Sequence, residues 1–181
     1  RAIAPHTDTG DGMSSTENFA RISWVLALQE LAQQTDADAA LVYRSILEHI
    51  AQGFGAKSGC LALYEADHSS LHIVAGIDIP AHVIGTRVAQ GVGVLGWVAE
   101  KMEALLLNGN IASDDRFPKL VARTESARPG SALCWPLRAS EEVIGVVRVN
   151  RPAESPVFAR DDLGRGNVVL SLVSLALTNI R

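Results

Sequence analysis

The chain has 181 residues, of which 48% are hydrophobic and 20% are charged, a composition typical of an ordinary globular protein with one substantial core. Its formal net charge is −4 and its basic residues are scattered, so neither nucleic acid nor an anionic membrane is an expected partner. No apolar run is long enough to span a bilayer, and no basic segment precedes an apolar core. We therefore expect a cytoplasmic protein without membrane insertion.

The N-terminal part divides into two segments before the main domain. Residues 1–15 mix Pro, Gly, Thr and Asp without periodicity and are predicted to form a flexible lead. Residues 16–35 are predicted to form a helix with an apolar stripe on each of two sides, which implies two packing partners. The stripes are Ile22, Val25 and Leu26 on one side, and Trp24, Leu28 and Leu31 on the other. Residues 36–181 are expected to form one folded domain.

Within this domain, helical and strand patterns follow one another in a definite order. A polar break at residues 35–38 supplies a cap for a helix that ends near Gly53. The remaining predictions are strands at 58–64 and 71–75, a short helix within 81–86, a helix at 94–102, strands at 105–107, 131–137 and 143–149, and a last helix at 159–181.

The last predicted helix also carries two apolar stripes. Leu163, Leu170 and Leu177 recur every seven residues, and Val168, Leu172 and Leu175 form a second stripe. One stripe can cover a sheet while the other meets a partner. Together with the helix at 16–35, this pattern predicts a homodimer made through the N- and C-terminal helices.

Residues 91–117 contain the most distinctive pattern, GVGVLGWVAEKMEALLLNGNIASDDRF. Its glycines permit tight turns before the helix, and Asp114 and Asp115 can bind backbone donors in a loop that Phe117 anchors. Such a loop could cover a pocket. The Gly-x-Gly-x-x-Gly spacing also occurs at dinucleotide sites, but no strong parallel-strand run leads into it and no acidic residue lies where a ribose partner is expected.

This order of features resembles the GAF family of small-molecule-binding regulatory domains. The family has a Gly-x-Gly-x-x-Gly-x-Val-Ala-Glu segment before a strand and an Asn…Asp-x-Arg-Phe loop, and the strands at 131–137 and 143–149 resemble its paired central strands. The resemblance implies an α+β fold: an antiparallel sheet with N- and C-terminal helices on one face and a loop and short helix on the ligand side. It also implies a sensor that relays a signal to a covalently linked output domain in a bacterial protein, such as a two-component or cyclic-di-nucleotide signalling protein.

Two alternatives to a small-molecule sensor remain open. One is a dimerisation spacer without a ligand, and the other is a cysteine-based enzyme resembling the methionine sulfoxide reductases of the family. The sequence shows no nucleophile motif, and Cys60 and Cys134 are far apart and outside any Cys-x-x-Cys pair. Both fall in predicted strands, which favours reduced core residues and predicts neither a zinc site nor a disulfide. The sequence identifies neither a cofactor nor the particular small molecule that would bind.

Arg148 is the leading candidate for ligand binding. Alternation along its strand places it with Ile144 and Val146, whereas the valines at 143, 147 and 149 face the helices. Arg148 then points to the ligand side, where an anionic ligand, or Asp114 or Asp115 of the loop, can neutralise it. The alternative to a ligand is this internal pair, or simple exposure of Arg148 at the end of the strand.

Further ligand candidates are Trp97 and Trp135, which could stack a planar ligand or fill the core, together with His72, Asp114, Asp115 and Phe117.

Part of the family's cyclic-nucleotide signature, Asn-Lys…Phe-x-x-x-Asp-Glu, is also present. Asn150-Arg151 replaces the first pair, Phe158 is followed by Asp161 and Asp162, and the spacing is one residue short. We expect these residues to form an ion pair between Arg151 and Asp161 or Asp162, which would tie the last strand to the last helix.

Overall fold

The computed structural model describes residues 38–109, 114, 116–117 and 129–180. The predicted lead at 1–15 and helix at 16–35 lie outside the described residues, as does Asp115. The regular elements are helices α1 (Ala39–Gly53), α2 (Gly93–Lys101) and α3 (Arg160–Ile180), and strands β1 (Ser58–Tyr64), β2 (Leu71–Ile77), β3 (Arg87–Val88), β4 (Leu105–Asn108), β5 (Pro129–Ala139) and β6 (Glu142–Pro152).

The six strands form one antiparallel sheet in the order β3-β2-β1-β6-β5-β4. Helices α1 and α3 pack on one face, which we call the helix face, and α2 packs on the other, which we call the α2 face. The predicted α+β architecture is thus confirmed, as are all the predicted strands. The helix predicted within 81–86 is a single 3₁₀ turn, Ala81–Val83, and the two-residue strand β3 has no recognisable sequence pattern.

Helix α1 forms as its cap and apolar spacing dictate. The side chain of Asp38 accepts a hydrogen bond from the Ala40 N–H at 3.0 Å, which satisfies one of the free donors at the helix start. Val42, Ile46 and Ile50 lie on one side and are fully buried against the sheet.

The described part of the chain includes no helix with both the length and the apolar character needed to cross a membrane.

Helix α3 uses its two apolar stripes differently. Leu170, Val173 and Leu177 are buried against the sheet. The second stripe is open to solvent, with exposed fractions of 68% for Val168, 37% for Leu172 and 57% for Leu175. One stripe therefore covers the sheet, as expected, and the other has no partner among the described residues.

Strand β6 lies at the centre of the sheet and supplies both faces. Val147 and Val149 join the helix-face core, and Val146 joins the core on the α2 face, as alternation predicts. Val143 and Ile144 face opposite sides of the sheet from those predicted: Ile144 lies on the helix face and Val143 on the α2 face. The cause is a bulge: Leu137 pairs with Gly145 and Arg138 with Val143, so Ile144 is left unpaired and the alternation reverses there.

Trp135 has the largest fully buried side chain of the described residues and connects β5 to α3. Its indole N–H donates to the Leu163 carbonyl at 3.0 Å, and its ring lies 5.1 Å from that of Phe54. Helix α3 approaches this ring so closely that a Cβ at Gly166 would overlap the indole, whereas a Cβ at Gly164 would meet no atom within 4 Å. Gly166 is therefore required for packing, and Gly164 is not.

We expect Gly166→Ala and Gly164→Ala to change stability in opposite directions. Alanine stabilises a helix interior by about 0.5–1 kcal/mol relative to glycine, so Gly164→Ala should raise the free energy of unfolding by about that amount. Gly166→Ala should lower it by about 1 kcal/mol or more, because overpacking against a buried ring outweighs the helix gain. Urea unfolding followed by circular dichroism measures both, and equal stabilisation by the two variants would contradict the packing described above.

Candidate functional site

Arg148 lies in the middle of a row of three side chains on the α2 face. In the strand register it is opposite Cys60 of β1 on one side and Cys134 of β5 on the other. Directly opposed residues in an antiparallel sheet point to the same face, so the two thiols flank the guanidinium. The two cysteines are 74 positions apart in the chain, and only the pairing of both neighbouring strands with β6 brings them together.

The guanidinium of Arg148 is held from one side. Its Nε donates to the Asn150 Oδ1 at 2.8 Å, and the Asn150 Nδ2 donates in turn to the Ser58 Oγ at 3.1 Å. No described residue accepts a hydrogen bond from Nη1 or Nη2 of Arg148. Since no buried side-chain nitrogen or oxygen of the described residues lacks a partner, these two atoms are open to solvent. Among the described residues, the partly buried guanidinium of Arg148 therefore has no partner for Nη1 or Nη2.

Asp114, one of the two expected internal partners of Arg148, is paired elsewhere. Its carboxylate accepts two hydrogen bonds from the Arg116 guanidinium, at 2.6 and 2.9 Å, and a third from the Arg116 N–H at 3.0 Å. The hydrogen bonds from Arg116 hold the pKa of Asp114 below its usual range, although burial acts in the opposite direction. The expected Arg148–Asp114 pair is therefore wrong. Asp115, the other expected partner, lies outside the described residues.

Phe117 and Trp97 join the same side of the sheet as Arg148. Phe117 is buried in the core of the α2 face, and its ring meets that of Trp97 edge-on with 6.2 Å between centroids. The Arg116 guanidinium lies 5.9 Å from the Trp97 ring and 5.6 Å from the Phe117 ring. The described part of the loop is thus anchored onto α2 by an aromatic pair and by a cation that Asp114 neutralises.

The structure does not bring Trp135 or His72 to this place. Trp135 is fully buried on the opposite face, in the helix-face core. His72 is paired with Leu63, which also belongs to the helix-face core, and its Nε2 lies 3.0 Å from the Gly85 carbonyl oxygen. Both side chains therefore have structural partners away from Arg148.

Trp135 instead borders a groove on the helix face, between α3 and the β4–β5 edge. The groove has a volume of about 290 Å³. Apolar and polar residues both line it: Met102, Ala104, Trp135, Pro136, Arg138, Asn167, Leu170, Ser171 and Ser174.

The thiols beside Arg148 are protonated at neutral pH. Burial raises the pKa of Cys60 and of Cys134, and the opposing effect of the Arg148 charge is smaller in both cases. One strand separates the two cysteines, which places their Cα atoms roughly 9–10 Å apart, beyond the reach of a disulfide. The described residues include no group of three or more potential metal ligands. The row therefore carries one positive charge and two neutral thiols.

A hydrogen-bond network links the end of β4 to the start of α3. Ser131 Oγ donates to the Asn108 Oδ1 and accepts from the Phe158 N–H at 2.9 Å, while Asn108 Nδ2 donates to the Phe158 carbonyl at 3.2 Å. Asn108 ends β4, immediately before the predicted loop, and Phe158 lies two residues before α3. The base of the loop is thus bonded directly to the segment that enters the last helix.

Arg151 supplies a second link, although not the expected one. Its Nε and Nη2 donate to the Phe54 carbonyl at 3.2 and 2.6 Å, and its Nη1 donates to the Pro156 carbonyl at 3.1 Å. Its guanidinium also lies 4.1 Å from the centre of the Phe158 ring. These contacts involve all three guanidinium nitrogens, and no ion pair among the described residues joins Arg151 to Asp161 or Asp162. The predicted ion pair is therefore wrong.

Asp162 has partners within its own helix. It accepts a hydrogen bond from the Ala159 N–H at 2.9 Å and pairs with Arg165, an arrangement that caps the start of α3. Burial acts to raise the pKa of Asp162, but the hydrogen bond from Ala159, the contacts with Arg165 and the charge of Arg151 together lower it.

Comparisons with known proteins agree with this geometry. No curated protein matches the chain in sequence. Among solved structures, the GAF domain of an Acinetobacter phosphoenolpyruvate-protein phosphotransferase superposes with a TM-score of 0.70 at 16% identity, covering 92% of this chain and 95% of the other. The second GAF domain of DevS from Mycobacterium smegmatis gives 0.61 at 20% identity, with coverages of 78% and 94%.

A third similar structure is an enzyme. The free methionine-R-sulfoxide reductase from Neisseria meningitidis, in complex with its substrate, superposes with a TM-score of 0.65 at 16% identity, covering 93% of this chain and 95% of the other. At such identities these likenesses show the fold alone. The family model of the GAF domain, however, matches residues 26–177, most of the chain, and the chain therefore belongs to the GAF domain family.

Proposed function

We propose that this GAF domain is a non-catalytic sensory module that binds a small anionic molecule at Arg148 and relays the signal through α3 to a linked output domain. The observation that carries the proposal is the free Nη end of Arg148 on the α2 face, with no acidic partner among the described residues. The two Nη atoms can donate a pair of charge-assisted hydrogen bonds to a bound carboxylate or phosphate, which would neutralise the charge.

The other predicted site residues take different parts in this proposal. Trp97 and Phe117 form an aromatic wall on the same face as Arg148, and Asp114 belongs to the part of the loop that this wall anchors. Asp115 lies outside the described residues and stays a candidate from the sequence. Trp135 and His72 are assigned to the fold, because both lie on the helix face.

The relay follows from the contacts at the base of the loop. A ligand that moves the loop also moves Asn108, and Asn108 is bonded through Ser131 and directly to the backbone of Phe158. Phe158 is stacked against Arg151, which in turn holds the end of α1 through the Phe54 carbonyl. A displacement on the ligand side would therefore reach the start of α3 without an intervening flexible segment.

An anionic metabolite should raise the melting temperature of the parent protein, and Arg148→Met should abolish this shift because it keeps similar bulk without the charge. Differential scanning fluorimetry across a library of anionic metabolites measures the effect. Arg138→Met is the matched control, since Arg138 is an exposed arginine that lines the groove on the helix face. Equal shifts in the parent and in Arg148→Met would remove Arg148 from the site, and loss of the shift in Arg138→Met alone would move the site to the groove.

The proposal includes a homodimer made through the terminal helices. The exposed stripe of Val168, Leu172 and Leu175 on α3 offers an apolar surface, and the predicted helix at 16–35 carries apolar stripes to pair with it. A shift in the pairing of these helices would carry the signal to the output domain.

We expect the parent to sediment as a dimer at micromolar concentration and the double variant Leu172→Glu/Leu175→Glu as a monomer, because two charges in an apolar interface oppose association. Both positions are exposed, so the fold should be retained, as circular dichroism can verify. Val157→Glu, at an exposed apolar position outside α3, is the control and should leave the dimer intact. A monomeric parent would refute the dimer.

A cysteine-based reductase is the second candidate, since one structural relative is a methionine sulfoxide reductase and both thiols lie on one face. Raised pKa values and a separation beyond disulfide reach speak against it. A thiol that is protonated and buried is a poor nucleophile, so the geometry favours a packing role.

Neither thiol of the native protein should react with iodoacetamide at pH 8 on the time scale that labels a free cysteine peptide, and both should react after unfolding in urea. Intact-mass spectrometry counts the adducts. Rapid labelling of either thiol in the native protein, or a disulfide formed under mild oxidation, would instead support the reductase.

A further inference from the structure

We infer that the exposed stripe of α3 is covered by residues 16–35 of the same chain, which pack parallel to α3. The proposed homodimer leaves open whether the stripe meets its own chain or a second copy, and which side of the predicted helix faces it. The inference rests on that part of the proposed function and answers both questions. It does not depend on the ligand site at Arg148.

The stripe of Val168, Leu172 and Leu175 points away from the sheet. A helix turns by about 100° per residue, so these side chains lie opposite the buried Leu170, Val173 and Leu177. Each of the three is at least 37% exposed, and no described element covers them. Apolar side chains in successive turns form a surface that a helix normally buries against a partner.

The spacing of this stripe matches one side of the predicted helix at 16–35. The stripe residues of α3 are separated by four and then three positions, as are Trp24, Leu28 and Leu31, whereas Ile22, Val25 and Leu26 are not. Equal four-three spacing lets two parallel helices pair layer by layer, as in a coiled coil. One offset aligns all three layers: Trp24 with Val168, Leu28 with Leu172 and Leu31 with Leu175.

The same offset also aligns the ends of the two helices. It places residue 16 beside Arg160, where α3 begins, and residue 35 one position before Ile180, where α3 ends. The positions that flank the three layers are uncharged: Val25, Ala27 and Ala32 on one helix, and Val169, Ser171 and Ala176 on α3. The whole length of α3 can therefore be covered without placing a charge beside the apolar layers.

The charged layers lie one heptad nearer the start of both helices. There the aligned positions are Glu17 beside Asp161 and Arg21 beside Arg165. Each acid is then one turn from the arginine of the other helix, so the opposite charges lie on diagonal positions. Arg165 is already paired with Asp162 of its own helix. The seam thus consists of three apolar layers with a charged end.

The course of the chain determines the direction of the pairing. Arg151 bonds to the Phe54 carbonyl at the end of α1 and to the Pro156 carbonyl just before α3, so the end of α1 lies beside the start of α3. Helix α3 then runs to the other end of the sheet, where the Ser174 Oγ accepts from the Arg138 N–H. Because α1 packs along the same face, its start lies at that end too, near the end of α3.

The connection to α1 is short. Asp38 caps α1, and the three peptide units between residue 35 and Asp38 span up to about 10 Å, which is about the distance between the axes of packed helices. A parallel placement brings residue 35 to the end of α3, near Asp38. An antiparallel placement would leave it about 30 Å away, at the start of α3. Within one chain, only the parallel arrangement can be connected.

Two further observations favour the same chain over a second copy. The GAF family model begins at residue 26, so the family's domain includes the second half of this segment. A short connection also gives the tethered helix an effective concentration in about the millimolar range, whereas a second copy is at the concentration of the protein. Ile22, Val25 and Leu26 then face outward and are the surface left for dimerisation.

Disulfide cross-linking of the full chain tests the inference. Leu31→Cys/Leu175→Cys places two thiols in one layer and should form an internal disulfide under mild oxidation, seen by peptide mapping of a protein that runs as a monomer on a non-reducing gel. Trp24→Cys/Leu175→Cys is the matched control. Its thiols are seven positions apart along the pair, about 10 Å by helix rise, and should stay reduced.

A mixture of the single variants Leu31→Cys and Leu175→Cys, unfolded and refolded together, should give no disulfide between chains. A disulfide between chains in this mixture would assign the stripe to a second copy, so the inference would fail while the proposed dimer would stand. An internal disulfide in a parent that sediments as a monomer would leave the inference intact and refute the dimer. No disulfide in Leu31→Cys/Leu175→Cys, or equal yields in both pairs, would overturn the parallel register.

Limited trypsin digestion tests which side of the segment faces α3. Leu28→Glu places a charge in the middle layer and should speed cleavage after Arg21 at least about tenfold, because the released segment is open to protease. Leu26→Glu, on the opposite stripe, should weaken the dimer and keep Arg21 protected. Equal acceleration by the two variants would overturn the assignment of the inward stripe.

Discussion

The antiparallel pairing of β6 with β1 on one side and β5 on the other is the constraint on which the structure depends. It places Val147 and Val149 against the helices and, one residue away, Arg148 on the opposite face. Because side chains alternate along a strand, the residues that build the helix-face core also determine which face carries the cation. A register shift of one residue would bury the guanidinium among the helices, so folding and site geometry are specified by the same ladder.

The two faces of the sheet are coupled by a small number of polar contacts at one end of β6. Arg151 bonds to the carbonyl that ends α1 and stacks on Phe158, while Asn108 and Ser131 bind the backbone of the same residue. Phe158 itself is buried in the helix-face core. A displacement at the base of the loop therefore meets a packed aromatic ring and not a flexible linker, which is the property that a relay requires.

The thiols beside Arg148 show how the same fold can serve different chemistry. One structural relative is a methionine sulfoxide reductase, yet here burial keeps both thiols protonated and β6 keeps them apart. The guanidinium between them lowers the pKa of each, but less than burial raises it. The row on the α2 face thus consists of one cation, Arg148, between two neutral thiols.

Much of the fold is contained in local sequence patterns. Asp38, the apolar spacing of α1 and the heptad leucines of α3 predict helices, because capping and the 3.6-residue period act within one segment. The order of the glycine-rich segment, the loop and the paired central strands predicts the family. Alternation along β6 also predicted the face of Arg148, but it missed the bulge at Ile144, because a bulge arises between two strands and leaves no period in either one. The predicted Arg151 ion pair failed for a similar reason, since backbone carbonyls near in space compete with acids near in sequence.

The sequence by itself determined the family, the order of the helices and of every strand except the short β3, and Arg148 as a charged residue in an apolar strand. Only the tertiary structure decided that Cys60 and Cys134 flank Arg148 and that Asn150 and Ser58 orient it. It also decided that Asp114 pairs with Arg116 and that Trp135 lies on the opposite face. The Asp114–Arg116 pair is local to the loop, whereas the other three facts depend on which strands are neighbours and in what register. Pairing between strands distant in the chain is set by the burial of the whole sheet, and no single segment carries that information.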